Sequence, residues 1–447
     1  MTPPFPHDHS YERVHQLALP LMPNRTRLSV LLLISTLPVM TGAVLSPVLP
    51  DLRAAFGGGQ RVEAWTRWVL TTPALFTAVG APLAGVLADR TGRRPVLLGS
   101  LLLFAGSGSA GALLGSLPAI TVSRAVLGLA AGGIGTAATT LIVDYHDDAQ
   151  SRVLGGQAAV MALSAMMYTV LGGLLTDISW RAPFGIYLAG LAVVWPASAL
   201  LPEPTPAAEA EGTPPSSPNE NVDDREIGIG WGRIGILYGL AFLGLAVFNL
   251  IRVELPYALQ AMGLQSGVWI AVVLSGGTVT GALASAGYDR IQARMGTRGT
   301  LAVALGLFAT GFGIIAAAGT PAMATFGVAL AGGGMGLLVP SLSDGVGKAT
   351  PQAVRGRLMG GLSTLRNLGR FASPLLAAPA LVGTGAAAPF IGGALTSAVL
   401  ALAFLAWMAA CRLPDALQGL LPAGGASQPP SRKEKRGSKP EAALCQT

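Results

Sequence analysis

Five charged residues interrupt long runs of Ala, Gly, Val and Leu: Arg124, Arg252, Glu254, Arg366 and Arg370. A charge at the centre of a bilayer costs about 2.5–3.5 kcal/mol on insertion scales, so one retained in such a run marks function. Glu254, in Arg252-Val253-Glu254-Leu255-Pro256, is the acid of the set. A carboxyl group in a low dielectric holds its proton more readily and can bind and release one near physiological pH. The plainer reading makes it a hydrated residue at the outer mouth. Asp51, at the end of the first apolar run, is a second proton-binding candidate. Arg366 and Arg370 lie one helical turn apart and share a face. With Asn367 and Arg252 they suit an anionic or polar ligand, or else they reach toward the interface and bind backbone carbonyls. Tyr168, Phe248 and Asn249 are candidates to line the same space, where an aromatic ring in a span also serves packing.

The elements that must position these groups follow from composition. Of 447 residues, 51% are apolar and 11% charged, against about 25% charged in a soluble domain, and mean hydropathy is +0.57. An ordinary soluble enzyme is excluded. Two cysteines, Cys411 and Cys445, leave no disulfide framework, and the four histidines form no ligand cluster beyond a weak His7-Asp8-His9, so no metal is expected. No Gly-Lys-Ser phosphate loop occurs. Apolar stretches of spanning length run at about 28–50, 65–87, 95–116, 118–143, 153–176 and 183–201, then at 231–259, 266–288, 299–319, 321–344, 357–383 and 386–411. In lipid they must be helices, because every backbone polar group needs an internal partner.

Twelve spans form two sets of six, and the predicted fold is an all-α integral membrane protein of two pseudo-symmetric six-helix bundles. The first occupies 28–201 and the second 231–411, after a polar leader (1–27) and across a Pro-, Ser- and Glu-rich linker (202–230) that cannot bury a core. A basic tail (412–447) follows. Most of the 29 Lys and Arg residues fall in the leader, the even-numbered loops and the tail; Arg53, Arg61, Arg67 and Arg181 fall on the other side. The positive-inside rule places both termini in the cytoplasm. That distribution explains the net charge of +7 without nucleic acid. The bilayer and a small molecule are the expected partners, and the protein is expected to be a monomer.

The two sets repeat one another. Asp89 corresponds to Asp289, Gly132-Gly133-Ile134-Gly135 to Gly333-Gly334-Met335-Gly336, Asp144 to Asp344, and Arg152-Val153-Leu154-Gly155-Gly156 to Arg357-Leu358-Met359-Gly360-Gly361. Parallel repeats imply a pseudo-twofold axis along the membrane normal, with a site between the halves.

The loop after span 2 reads Gly85-Val86-Leu87-Ala88-Asp89-Arg90-Thr91-Gly92-Arg93-Arg94-Pro95. It resembles the signature loop of the major facilitator superfamily, with every signature position filled, and the resemblance covers about residues 28–411. It implies a transporter rather than an enzyme. Asp89 would latch onto the positive amino end of span 11, Arg90 or Arg93 would pair with Asp144, and Gly92 would make the tight turn. A weaker copy, Asp289 and Arg290 with Asp344, would latch the second half against span 5. Arg124, followed by Gly128 and Gly132, resembles the family's span-4 motif, in which an arginine inside the cavity is linked to proton transfer. Drug and proton antiporters commonly carry Gly-Pro two residues before Gly-Gly in span 5; here Gly172-Gly173 is present and Tyr168-Thr169 stand in the other positions.

The resemblance to the drug-efflux branch implies proton-coupled export from a bacterial inner membrane, with the proton as coupling ion and no other cofactor. The substrate would be a lipophilic drug or a secreted metabolite such as a siderophore. A nutrient importer or facilitator of the same superfamily is the first competitor, although such importers show more acids and amides in spans 1, 7 and 10. A membrane enzyme or a non-transporting sensor is the second, and no catalytic cluster supports an enzyme.

Overall fold

The computed structural model describes residues 24–145, 150–203, 231–351, 354–381 and 387–418. Among the described residues, twelve main helices follow one another. The first half holds α1 (Asn24–Thr36), α2 (Gln60–Thr91), α3 (Arg93–Ala110), α4 (Leu117–Tyr145), α5 (Gln150–Thr176) and α6 (Ala189–Leu200). The second holds α7 (Trp231–Ala261), α8 (Gly267–Ala286), α9 (Tyr288–Ala316), α10 (Pro321–Ala349), α11 (Arg355–Leu381) and α12 (Ala388–Gln418). The leader and tail readings fall largely, and the linker reading almost wholly, outside the described residues.

Proline explains where spans depart from one straight rod. The first continues from α1 through a 3-10 turn (Leu37–Val39) and a short helical turn (Met40–Ala43), then bends into a separate helix (Leu49–Ala55). Pro38 and Pro50 occupy the first turns of the pieces they begin, where the missing N–H does no harm. Ten of the described helical segments are long and apolar enough to cross a membrane by themselves. The other two of the twelve are α3 and α11, whose sequences carry Arg93 and Arg94, and Arg355, Arg357, Arg366 and Arg370. They are helices of the same bundles: α3 packs on α4 and α6, and α11 on α7 and, across the molecule, on α2.

Each half buries its own hydrophobic core, one running from Leu31 to Leu201 and joined by Val253 of α7, the other from Leu237 to Phe404. Inside each, glycines let backbones touch, as lipid-embedded helices require. Gly132 leaves α4 against the backbone of α2 at Gly80 and Ala81, and Gly281 sets α8 against Gly332 and Gly336 of α10. Gly133 faces α3 at Ser100, and its repeat partner Gly334 faces α9 at Ala304 and Phe308. The halves meet along two repeat-related pairs, α2 with α11 and α5 with α8. We call the end holding the α2–α3 and α8–α9 junctions the basic end, after Arg90, Arg93, Arg94, Arg290 and Arg298.

Candidate functional site

At the end opposite the basic end, the halves are pinned together. Glu63 and Arg67 are four residues apart on the first turns of α2 and so share a face; Glu254 and Tyr257, one turn apart on α7, meet them. Arg67 donates from Nε to Glu254 Oε1 at 2.7 Å and from Nη2 to Glu254 Oε2 at 2.9 Å. Such a two-pronged guanidinium–carboxylate pair is among the stronger hydrogen-bonded contacts. Both residues are almost inaccessible, at 7% and 4% exposure. Arg67 Nη2 also reaches Glu63 at 2.5 Å, and Arg53 reaches Glu63 at 3.2 Å. The Thr66 and Tyr257 hydroxyls bond at 2.7 Å, with the Tyr257 ring beneath the guanidinium groups of Arg53 and Arg67. Trp68 packs on Phe371.

Two expectations change here. Arg67, counted among external bases, lies within α2 and is buried. Glu254, read as a proton-binding acid in a low dielectric or as a hydrated residue at the outer mouth, is buried and fully paired by it, because α2 and α7 approach from different halves.

The α5–α8 seam closes at the same end. Gly173 faces the backbone carbonyl of Gly267 so closely that no side chain fits between them. Asp177, just beyond α5, accepts from Gly267 N at 2.6 Å and from Ser266 Oγ at 3.0 Å. It therefore caps the amino end of α8 from the other half, where the Ser266 side chain caps nothing itself. Asp51 is half-buried beside it; burial first, and then the Asp177 carboxylate, push its carboxyl above the usual range.

Between the halves is a cavity of about 250 Å³. It is walled by Ala162 and Ala165 of α5, by Leu245, Phe248, Asn249 and Arg252 of α7, by small residues of α8, by Met335 between two glycines of α10, and by Arg370 of α11. A narrower recess of about 20 Å³ includes Gly42, Ser46, Thr169 and Arg252, and Ser46 Oγ donates to the Arg252 carbonyl at 2.6 Å. Asn249 Nδ2 donates to Ser373 Oγ at 2.8 Å and to the Arg370 carbonyl at 3.1 Å, fixing α11 against α7. Of the expected lining residues, Phe248, Asn249, Arg252 and Arg370 are present. Arg366 and Asn367 are half-buried one turn away, outside the lining.

Two expected participants are elsewhere. Tyr168 is buried inside the first half, its hydroxyl bonded to Thr36 Oγ1 at 2.7 Å. Arg124 is fully buried, with Nη2 donating to the carbonyls of Ser107, at 3.0 Å, and Gly108, and its guanidinium lies over the rings of Phe184 and Tyr187. It faces α3 and the stretch before α6, away from the cavity, because α4 is apolar on every side and hydropathy alone does not say which face meets the partner half.

At the basic end the halves are less engaged. Asp89 and Arg90 are exposed, and Asp89 makes no ion pair among the described residues. Gly85 has nothing within reach of an added side chain. The α2–α3 turn is made by Gly92 at φ +95°, and its counterpart Gly296 sits at φ +68° in the kink of α9. Glu203, from the end of α6, accepts from the backbone N–H groups of Arg93 at 2.6 Å and Arg94 at 2.9 Å, capping α3. The Arg94 side chain binds the Ser198 carbonyl. The Asp144 side chain lies outside the described residues. Asp289 and Arg290 are exposed. Asp344, expected in a latch with them against span 5, is instead held inside its own half. It accepts from Gln292 at 2.6 Å and Thr297 at 3.1 Å across the α9–α10 contact, and from Lys348 at 2.8 Å one turn on along α10.

A sequence model described as the Major Facilitator Superfamily matches residues 31–374. The class G tetracycline resistance protein of Vibrio anguillarum is 29% identical over 375 residues, covering 78% of this chain and 89% of that protein. The class E tetracycline resistance protein of Escherichia coli is 28% identical over 366 residues, covering 79% and 87%. Among solved structures, the nucleoside transporter NupG superposes with a TM-score of 0.69 at 15% identity, covering 85% of this chain and 98% of that one. At that identity the likeness speaks for the fold alone.

Proposed function

This chain belongs to the Major Facilitator Superfamily and is a membrane transporter, not an enzyme; from that premise we propose that it exports a small drug or metabolite in exchange for protons. The basic end is assigned to the cytoplasm by the positive-inside rule. The structure is then the inward-facing member of an alternating-access pair. The observation that carries this reading is the buried Arg67–Glu254 pair, which ties one half to the other above the cavity.

The pair also supplies a coupling device. When the outer end opens, α2 and α7 separate, Glu254 loses its counter-charge, and the carboxylate takes up a proton from outside. On closure Arg67 returns, re-forms both hydrogen bonds and displaces that proton toward the cavity. Asp51 contributes at the outer surface, where closure sets it beside Asp177. Asp89 acts in the other state, meeting the amino end of α11 when the cytoplasmic side shuts. Arg124 serves as a positioning residue, joining α3 to α4 within the first half.

The test uses inverted membrane vesicles with an imposed proton gradient. Tetracycline, suggested by the names of the relatives, and a panel of apolar drugs and organic acids are added in turn. A transported compound dissipates the gradient, and Glu254→Gln abolishes the effect while leaving the protein in the membrane. Substrate flux that persists without any gradient overturns proton coupling.

A further inference from the structure

We infer that the cavity between the halves selects a small organic anion, held between the guanidinium groups of Arg252 and Arg370. The inference rests on the reading that this cavity carries the substrate and adds the substrate's charge.

Arg252 of α7 and Arg370 of α11 line one cavity, and the charges of Arg252 and Arg366 both act on Arg370. Three cations are thus gathered at or beside one cavity, Arg370 exposed and Arg252 and Arg366 half-buried. No acid is among the residues lining the cavity or its recess. The nearest acid in sequence, Glu254, has both oxygens committed to Arg67, and Asp51 and Asp177 belong to the outer seam. The Arg252 guanidinium has no hydrogen-bond partner among the described residues, and Arg370 has one long contact, Nη1 to Asn367 Oδ1 at 3.4 Å.

Charged side chains within spans ordinarily face a bundle interior or a water-filled cavity and find a partner there, so a basic pair with no acid in its cavity is suited to an anion from outside the chain. The planar guanidinium fork matches a carboxylate, sulfonate or phosphate group through two parallel hydrogen bonds. The rest of the wall is mostly Leu245, Phe248 and Met335 with small side chains, which suits an aromatic or aliphatic body. The volume of about 250 Å³, below the roughly 300–1,000 Å³ usual for ligand pockets, restricts that body to a compact one.

The full-length protein in nanodiscs of zwitterionic lipid, where no anionic headgroup competes, is titrated with matched pairs. 2-Naphthoate, benzoate and phenyl phosphate are each set against the corresponding primary amine. The expected result is at least tenfold tighter binding of an anion than of its amine. Arg252→Gln with Arg370→Gln should remove that preference, and Arg252→Lys with Arg370→Lys should retain part of it. If no anion of the set outbinds its amine in the unaltered protein, the inference falls, whatever the variants do. It falls equally if a folded Gln double variant binds naphthoate as the parent does. Binding needs no gradient, so anion selectivity without proton coupling sinks only the antiport reading, and proton-coupled flux of a cation sinks only this one.

Discussion

Arg67 and Glu254 form a pair whose two members are unequal to the molecule when taken singly. Removing one partner of a buried ion pair leaves an uncompensated charge and costs about 3–5 kcal/mol, whereas replacing both with apolar groups of similar volume is often neutral or stabilising. Arg67→Ala should therefore lower unfolding stability in detergent by about that amount, while Arg67→Met combined with Glu254→Leu should recover most of it and still fail to couple protons. Equal loss in the single and double variants would mean that the pair is not the link between the halves. Asp51 gives a pH signature. Its closed-state value is raised above 3.8, so its protonated form favours closure; that contribution is present at low pH and is lost as pH rises through the closed-state value. Asp51→Asn should remove this component, read as the difference between parent and variant in the pH dependence of an α5–α8 distance. Glu254 was legible in sequence as an acid within an apolar run. Its partner was not: Arg67 stands at the edge of its stretch, where hydropathy groups it with the exterior, and the pairing of two residues 187 positions apart in different halves leaves no mark on local pattern.

At the scale of elements, the seam of α5 with α8 is held by one short-side-chain contact and one cap. Gly173 and Gly267 let the backbones meet, and Asp177 satisfies the first N–H of α8 from the other half. Loss of such a cap costs about 0.5–2 kcal/mol, which corresponds to a shift of roughly 2–30-fold in the closed-to-open ratio. Asp177→Ala should produce that shift, seen as a longer population in spin-label distances between the outer ends of α5 and α8; an unchanged distribution would remove Asp177 from the seal. At the α2–α3 joint, Gly92→Ala meets two penalties, a φ of +95° and an added carbon 2.7 Å from the Glu203 carboxylate. We expect lower thermal stability with α3 loosened from α6. The order of the spans was legible because proline and glycine punctuate the stretches, whereas 28–50 was read as one span and the structure breaks it at the pieces that begin with Pro38 and Pro50 in their first turns. The cap at α8 was not, since Asp177 and Ser266 belong to different repeats and nothing near either names the other. Nor was the enclosure of Arg124, since a helix apolar on all faces gives no hint of which one looks inward.

For the whole molecule, the two ends set opposing terms in a single equilibrium. On the orientation proposed above, the outer end is closed by Arg67–Glu254, Thr66–Tyr257 and Asp177 on α8, while Asp89 at the opposite, cytoplasmic end is exposed and makes no ion pair among the described residues. A residue idle in one state and engaged in the other shifts the balance when altered, without weakening the state in which it is idle. Asp89→Asn should accordingly leave insertion and inward-facing stability intact, deepen the inward-facing population by the roughly 0.3–2 kcal/mol that a helix-end charge is worth, and slow transport. Asp177→Ala should move the same equilibrium the other way. The sites are at opposite ends and share no partner, so their effects should add, and the double variant should return the α5–α8 distance distribution toward that of the parent. Both barriers are then lowered together, and exchange between the states should be faster than in either single variant. A double variant that stays as inward-facing as Asp89→Asn alone would mean that the two ends do not report on one motion, and a rigid rocking of two halves about the cavity would have to be abandoned.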